Sequence, residues 1–167
     1  MAKAYWDSAL TKEQNENPVM YSAIVDLPEF IKAPTDQELE NIFKTKGFKL
    51  QTWGRAKGKD GKDIKENNPH WIGVRGKTPL HTDPAYPRYS HHLKVRVDHG
   101  ISVRGVNKVE LSLSRGIFYI LDTHSPHQVL NENGGWNIAV SIDCQKMLNP
   151  QDCVKRSMQY AAMSKII

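Results

Sequence analysis

The chain has 167 residues, 39% of them hydrophobic, which suits one domain with a core of its own. It has no apolar run of about 18 residues to span a membrane, and its first residues, "MAKAYWDSALTKEQNENP", lack the basic-then-apolar order of a signal peptide. A net charge of +5 with pI near 9.2 is a modest cationic excess that selects no partner by itself.

Taken in chain order, "PTDQELENIFKTKG" is the first clear element. Thr35 stands three residues before Glu38, the spacing of a capping box, and Leu39, Ile42 and Phe43 share one face. The pattern predicts a helix over about 36–46, with Lys44 and Lys46 opposing its dipole and Gly47 as a left-handed cap. The period then changes to two. "FKLQTW", "HWIGV", "HLKVRV", "KVELSL", "GIFYIL" and "WNIAVSID" read as short strands bounded by turn residues. "NENGG", between "HQVL" and "WNIAVS", reads as a hairpin turn. Asn149-Pro150 opens a second helix over about 150–164, with Val154, Met158 and Ala161 as its buried stripe.

Many short strands with helices only at the ends predict a mainly β, antiparallel single domain, and the double-stranded β-helix (jelly roll, cupin-like) fits this length. "GRAKGKDGKDIKENNP" (54–69) has no apolar periodicity and reads as a mobile surface loop, either a lid or solvated decoration. Eight basic residues against two acidic ones between Lys44 and Lys65 read as a solvated face, with no nucleic-acid module in view. Cys144 and Cys153 show neither disulfide nor zinc spacing and read as reduced thiols of a cytoplasmic protein. No P-loop, GxGxxG or GxSxG motif is present.

The chemistry concentrates in "TPLHTDPAYPRYSHH". His81 and Asp83 are two apart, so an extended chain points both to one face. A mononuclear facial triad needs one further imidazole and leaves three coordination positions open. "GIFYILDTHSPHQV" offers two, His124 in a turn and His127 at the start of a strand, and His127 is the better placed. The expected metal ligands are therefore His81, Asp83 and His127.

From about Trp71 to Cys144 the chain resembles the Fe(II)- and 2-oxoglutarate-dependent oxygenases, within them the aspartyl/asparaginyl β-hydroxylase family. The resemblance rests on "HTDP", the His-Leu of "HHLKV", "GIFYILDTHSPHQV" and the closing strand "NIAVSID". It implies an enzyme that uses Fe(II), 2-oxoglutarate and O2 to hydroxylate a C–H bond, of an Asp or Asn side chain in a protein or peptide or of a small amino-acid-like molecule. Some animal members have Gly at the third ligand position, whereas this chain has Asp83. The family's two cosubstrate-facing arginines correspond to Ser90 and Asn137, so another cation must meet the 5-carboxylate. His92 corresponds to the family's His near the cosubstrate. Lys94 and Arg96 share its face if strand alternation holds, and Arg88 and Arg115 are further candidates; Arg96 is preferred for its planar fork. Two rivals stand beside this expectation: a cupin-like metalloenzyme without 2-oxoglutarate, favoured by Ser90 and Asn137, and a non-catalytic jelly-roll binding protein whose basic loop is the functional surface. Trp6, Trp53, Trp71 and Trp136 are read as pocket or core residues, and "YPRY" (86–89) as a contact segment or a self-packed turn.

Overall fold

The computed structural model describes residues 17–44, 49–106 and 110–163. These form nine β-strands and two helices in the order β1 (Val19–Ile24), α1 (Asp36–Phe43), β2 (Lys49–Trp53), β3 (Pro69–Arg75), β4 (Tyr89–Val97), β5 (Ile101–Arg104), β6 (Glu110–Ser112), β7 (Ile117–Asp122), β8 (Gln128–Asn131), β9 (Trp136–Cys144) and α2 (Pro150–Met163). All strand pairings are antiparallel. A six-stranded sheet runs β1-β7-β4-β9-β3-β2, and a three-stranded sheet runs β6-β5-β8. The sheets do not close into a barrel among the described residues. No described helix is long and apolar enough to cross a membrane.

Alternation along the central strands divides the molecule into layers. On β9, Ile138, Val140 and Ile142 are fully buried and pack toward the helices with Leu93, Val95, Trp71 and Phe118. Asn137 and Asp143 point the other way, into the space between the sheets. Tyr119 and Leu121 of β7 meet Ile101 and Val103 of β5 across that space, a smaller core that ties the two sheets together. The layers are therefore helices, large sheet, cavity, small sheet.

The helix starts follow local chemistry. Thr35 Oγ1 accepts from Glu38 N at 3.2 Å and Glu38 Oε1 accepts from Thr35 N at 2.8 Å, a complete capping box. Asn149 Oδ1 accepts from Asp152 N at 3.1 Å in front of Pro150. Helix α1 ends sooner than its sequence pattern predicts. Lys44 itself takes the left-handed cap at φ 51°, its N–H closing on Glu40 O, while Lys46 and Gly47 lie outside the described residues. On α2, Val154, Met158 and Ala161 are partly buried against the core as predicted, and Cys153 and Ser157 are buried more deeply. Both cysteines are buried and unpaired.

"NENGG" is not a hairpin turn. β8 pairs with β5 in the small sheet, whereas β9 pairs with β3 and β4 in the large one. The loop is an arch between layers, clamped by the Asn131 amide, which donates to Gly135 O at 2.8 Å and accepts from Gly135 N at 3.1 Å. Strands β1 and β5 join the predicted set. Loop 54–69 is also more ordered in pattern than its composition predicts. A bridge between Lys57 and Asp63, with Gly58 N–H on Lys62 O and Ile64 N–H on Ala56 O, turns it back on itself. Asn67 N–H on Asp143 O and Arg156 on Asn67 fasten its base to β9 and α2.

Candidate metal centre and its cavity

Segment 78–83 runs alongside β8. Thr78 N donates to Val129 O, and His81 and His127 exchange backbone hydrogen bonds at 3.0 and 2.9 Å, which sets them directly opposite one another. Asp83 N donates to Thr123 O at 2.8 Å, which fixes the carboxylate on the same face as His81. The result brings one donor atom from each of His81, Asp83 and His127 within 4.8 Å of the other two.

The ring nitrogens are sorted by their neighbours. His127 Nδ1 lies 2.8 Å from Ser125 O, and His81 Nδ1 lies 2.6 Å from Pro79 O. A carbonyl only accepts, so both Nδ1 atoms carry the proton and both Nε2 atoms keep a lone pair. Those Nε2 atoms face Asp83 Oδ2, at 3.2 Å from His127 and 3.6 Å from His81. Three acceptors turned toward one point repel one another unless a proton or a cation stands between them. Two imidazoles oriented by backbone carbonyls, plus one carboxylate, fit a divalent transition-metal ion, and the outer hydrogen bonds supply the orientation such ligands need. With a proton rather than a cation between them, a hydrogen bond from His127 Nε2, aided by the imidazolium charges, holds the Asp83 carboxyl below its usual range against the opposing effect of burial. His124 is engaged elsewhere: its Nε2 donates to Tyr86 O at 2.9 Å.

The three ligands open into a cavity of ≈ 380 Å³ between the sheets. Its large-sheet wall includes Ser90, His92 and Lys94 from β4, Tyr119 from β7, and Asn137 and Asp143 from β9; Val103 and Val129 face them from the small sheet. Lys94 is only 4% exposed. Its ammonium lies 5.2 Å from the centre of the Tyr119 ring and has no carboxylate within ion-pair distance among the described residues. Burial pushes it down to about 7. His92 stacks on the same ring at 5.0 Å, and burial, with Lys94 beside it, holds its imidazole neutral. Burial also pushes the Tyr119 phenol up, so it keeps its proton. His92 Nδ1 and Asn137 Oδ1 are buried without a hydrogen-bond partner. Unmade bonds of this kind on a cavity wall mark where a ligand's polar atoms belong.

The other predicted cations are placed outside the cavity. Arg96 is turned away by a β-bulge: β4 pairs Lys94 with Ala139 and then Arg96 with Ile138, so Val95 is the extra residue and the alternation reverses. Arg96 consequently reaches Asp36 at 2.7 Å, Asp98 at 3.1 Å and Pro34 O at 2.9 Å, on the helix side of the sheet. Arg88 forks onto Asp122 at 2.9 and 3.2 Å. Arg115 donates to Val95 O and Ile31 O. The described tryptophans are core or rim residues, none on the cavity wall, and Trp6 lies outside the described residues. Of "YPRY", only Tyr86 reaches the wall.

Two wall residues escaped the sequence. Arg55, from the loop after β2, is one charge among eight in that stretch, with nothing to set it apart. Asp143 gave a signal in the polar–apolar alternation of β9 from Trp136 to Asp143, broken only at Ala139. It accepts from Ser90 Oγ at 2.7 Å and Ser141 Oγ at 3.1 Å, and pairs with Arg55 at 3.4 Å. No known protein-family model matches the chain, and a search of characterised proteins found no match.

Proposed function

We propose that the protein is an Fe(II)- and 2-oxoglutarate-dependent oxygenase of the double-stranded β-helix type that hydroxylates a C–H bond. The observation that carries this reading is the convergence of His81, Asp83 and His127 at one end of a cavity whose wall also holds a buried, unpaired Lys94. When bound, the iron and 2-oxoglutarate supply the oxidation: 2-oxoglutarate, O2 and R–H become succinate, CO2 and R–OH. The chain holds and shields the reactants. His81, Asp83 and His127 hold the metal on one side and leave the other side to the cavity. Lys94 is the cation that meets the 5-carboxylate, in place of the arginines that the resemblance expects at Ser90 and Asn137. On the same wall the Tyr119 hydroxyl supplies a neutral donor and the unpartnered Asn137 Oδ1 a neutral acceptor. Val103, Val129 and Leu121 keep the middle of the cavity apolar, which strengthens each of these contacts.

Succinate formation from 2-oxoglutarate, dependent on added Fe(II) and O2, is the test. It is expected in the unaltered protein and lost in His127→Ala. A metal enzyme that uses no 2-oxoglutarate is the second reading, favoured by Ser90 and Asn137. Metal binding without any succinate formation or 2-oxoglutarate affinity would decide for it.

A further inference from the structure

Arg55 is a second buried cation on the cavity wall, and the chemistry above gives it nothing to do. Its side chain is 9% exposed. Nη2 makes a long contact, 3.4 Å, with Asp143 Oδ2, while Nη1 is buried with no partner at all. Asp143 is thereby a holder for the guanidinium, steadied in turn by Ser90 and Ser141. One nitrogen fixes the group and the other is left for a ligand's acceptor.

Register locates Arg55 relative to the metal. Asp143 pairs with Ser90, Ser90 pairs with Leu121, and Thr123, two residues on, holds the Asp83 backbone. Arg55 thus sits at the metal end of the cavity. Lys94 lies four residues further along β4, roughly 13 Å at strand rise, toward the other end. A cosubstrate stretched from Lys94 to the metal leaves Arg55 unengaged. Asp143 is paired by Arg55 and Asp63 by Lys57, but Lys65, on the same wall, has no carboxylate within ion-pair distance among the described residues.

We propose that Arg55, with Lys65 at the rim, binds a carboxylate carried by the molecule that is hydroxylated, so that the primary substrate is an acid whose carboxylate lies a few bonds from the C–H bond at the metal. This rests on the oxygenase reading for the role of the ligand, while the subsite itself rests on the geometry of Arg55. A guanidinium held by one nitrogen presents the other N–H groups at a fixed angle, and an anion matches them better than a neutral amide does.

The test is calorimetric titration of the Mn(II)-loaded protein, without O2 and with saturating 2-oxoglutarate. The probes are acetate, N-acetyl-L-aspartate and N-acetyl-L-glutamate, each against its primary amide. At least one acid is expected to bind about tenfold tighter than its amide. Arg55→Gln should remove that preference by weakening the acid about 10- to 100-fold, with 2-oxoglutarate affinity and metal stoichiometry unchanged. Arg55→Lys keeps an ion pair with Asp143 but offers no second nitrogen, and should also weaken the acid; it serves if the Gln variant fails to load metal. Absence of acid binding, equal binding of acid and amide, or unchanged acid affinity in a variant that loads metal overturns the proposal. Should 2-oxoglutarate itself not bind, the oxygenase reading fails, and the same titrations without it still decide for or against the Arg55 subsite.

Discussion

Each imidazole of the triad gives its Nδ1 proton to a carbonyl two residues away and so has only a lone pair left for Asp83. This arrangement distinguishes a ligand from a neighbour. Replacing His81, Asp83 or His127 with Ala is therefore expected to lower Mn(II) affinity by at least about 100-fold in equilibrium dialysis, while His124→Ala leaves it unchanged. Retention of metal by His127→Ala with loss in His124→Ala would reverse the assignment. Lys94 carries a different signature. Its folded pKa, about 7, lies below the ordinary lysine value, so the unfolded state binds more protons between about pH 7 and 10.5. Stability then rises with pH across that window, and the penalty for the buried charge is complete below it. Lys94→Met should raise the melting temperature clearly at pH 6, by the equivalent of roughly 2–4 kcal/mol, and much less at pH 10. Equal stabilisation at both pH values would show that the ammonium is not buried unpaired.

At the scale of elements, alternation made most of the site legible, and a single bulge hid the rest. The two-residue spacing of His81 and Asp83, and the position of His127 at the head of a strand, were enough to pick the converging donors. The same rule carried from His92 to Lys94 holds and carried to Arg96 fails, because Val95 is inserted between them. No local sequence signal announces that insertion; it is set by the pairing of β4 with β9, a long-range event. Arg96→Ala should accordingly leave 2-oxoglutarate affinity unchanged and cost about 1 kcal/mol of stability by releasing Asp36 and Pro34 at the start of α1, measured by urea denaturation. The arch at "NENGG" failed for a related reason: turn chemistry predicts a reversal but not which sheet receives the next strand. Packing of α1 depends on a missing side chain. A Cβ on Gly73 would stand 2.8 Å from both Ile138 Cδ1 and Phe43 Cζ, so Gly73→Ala should destabilise the fold by about 1–3 kcal/mol, with metal affinity retained.

Across the whole molecule, the helices pack on the large sheet, and the candidate site lies in the gap between the two sheets. The mainly β class and both helices were readable from period and punctuation, but the strand β1 ahead of α1 was not, so the first helix is not terminal as expected. The cavity was not readable, because its wall is assembled from seven strands and a charged loop whose composition resembles plain solvent-facing chain. On the proposed reading, this gap holds a metal at one end and a dicarboxylate cosubstrate fixed by Lys94 toward the other. Titration of 2-oxoglutarate into the protein without O2, with and without Mn(II), tests it most directly. One equivalent is expected to bind only when the metal is present, with affinity about 100-fold weaker in Lys94→Met and metal binding unchanged. Failure of 2-oxoglutarate to bind the metal-loaded protein, or the same affinity in Lys94→Met, would contradict the account.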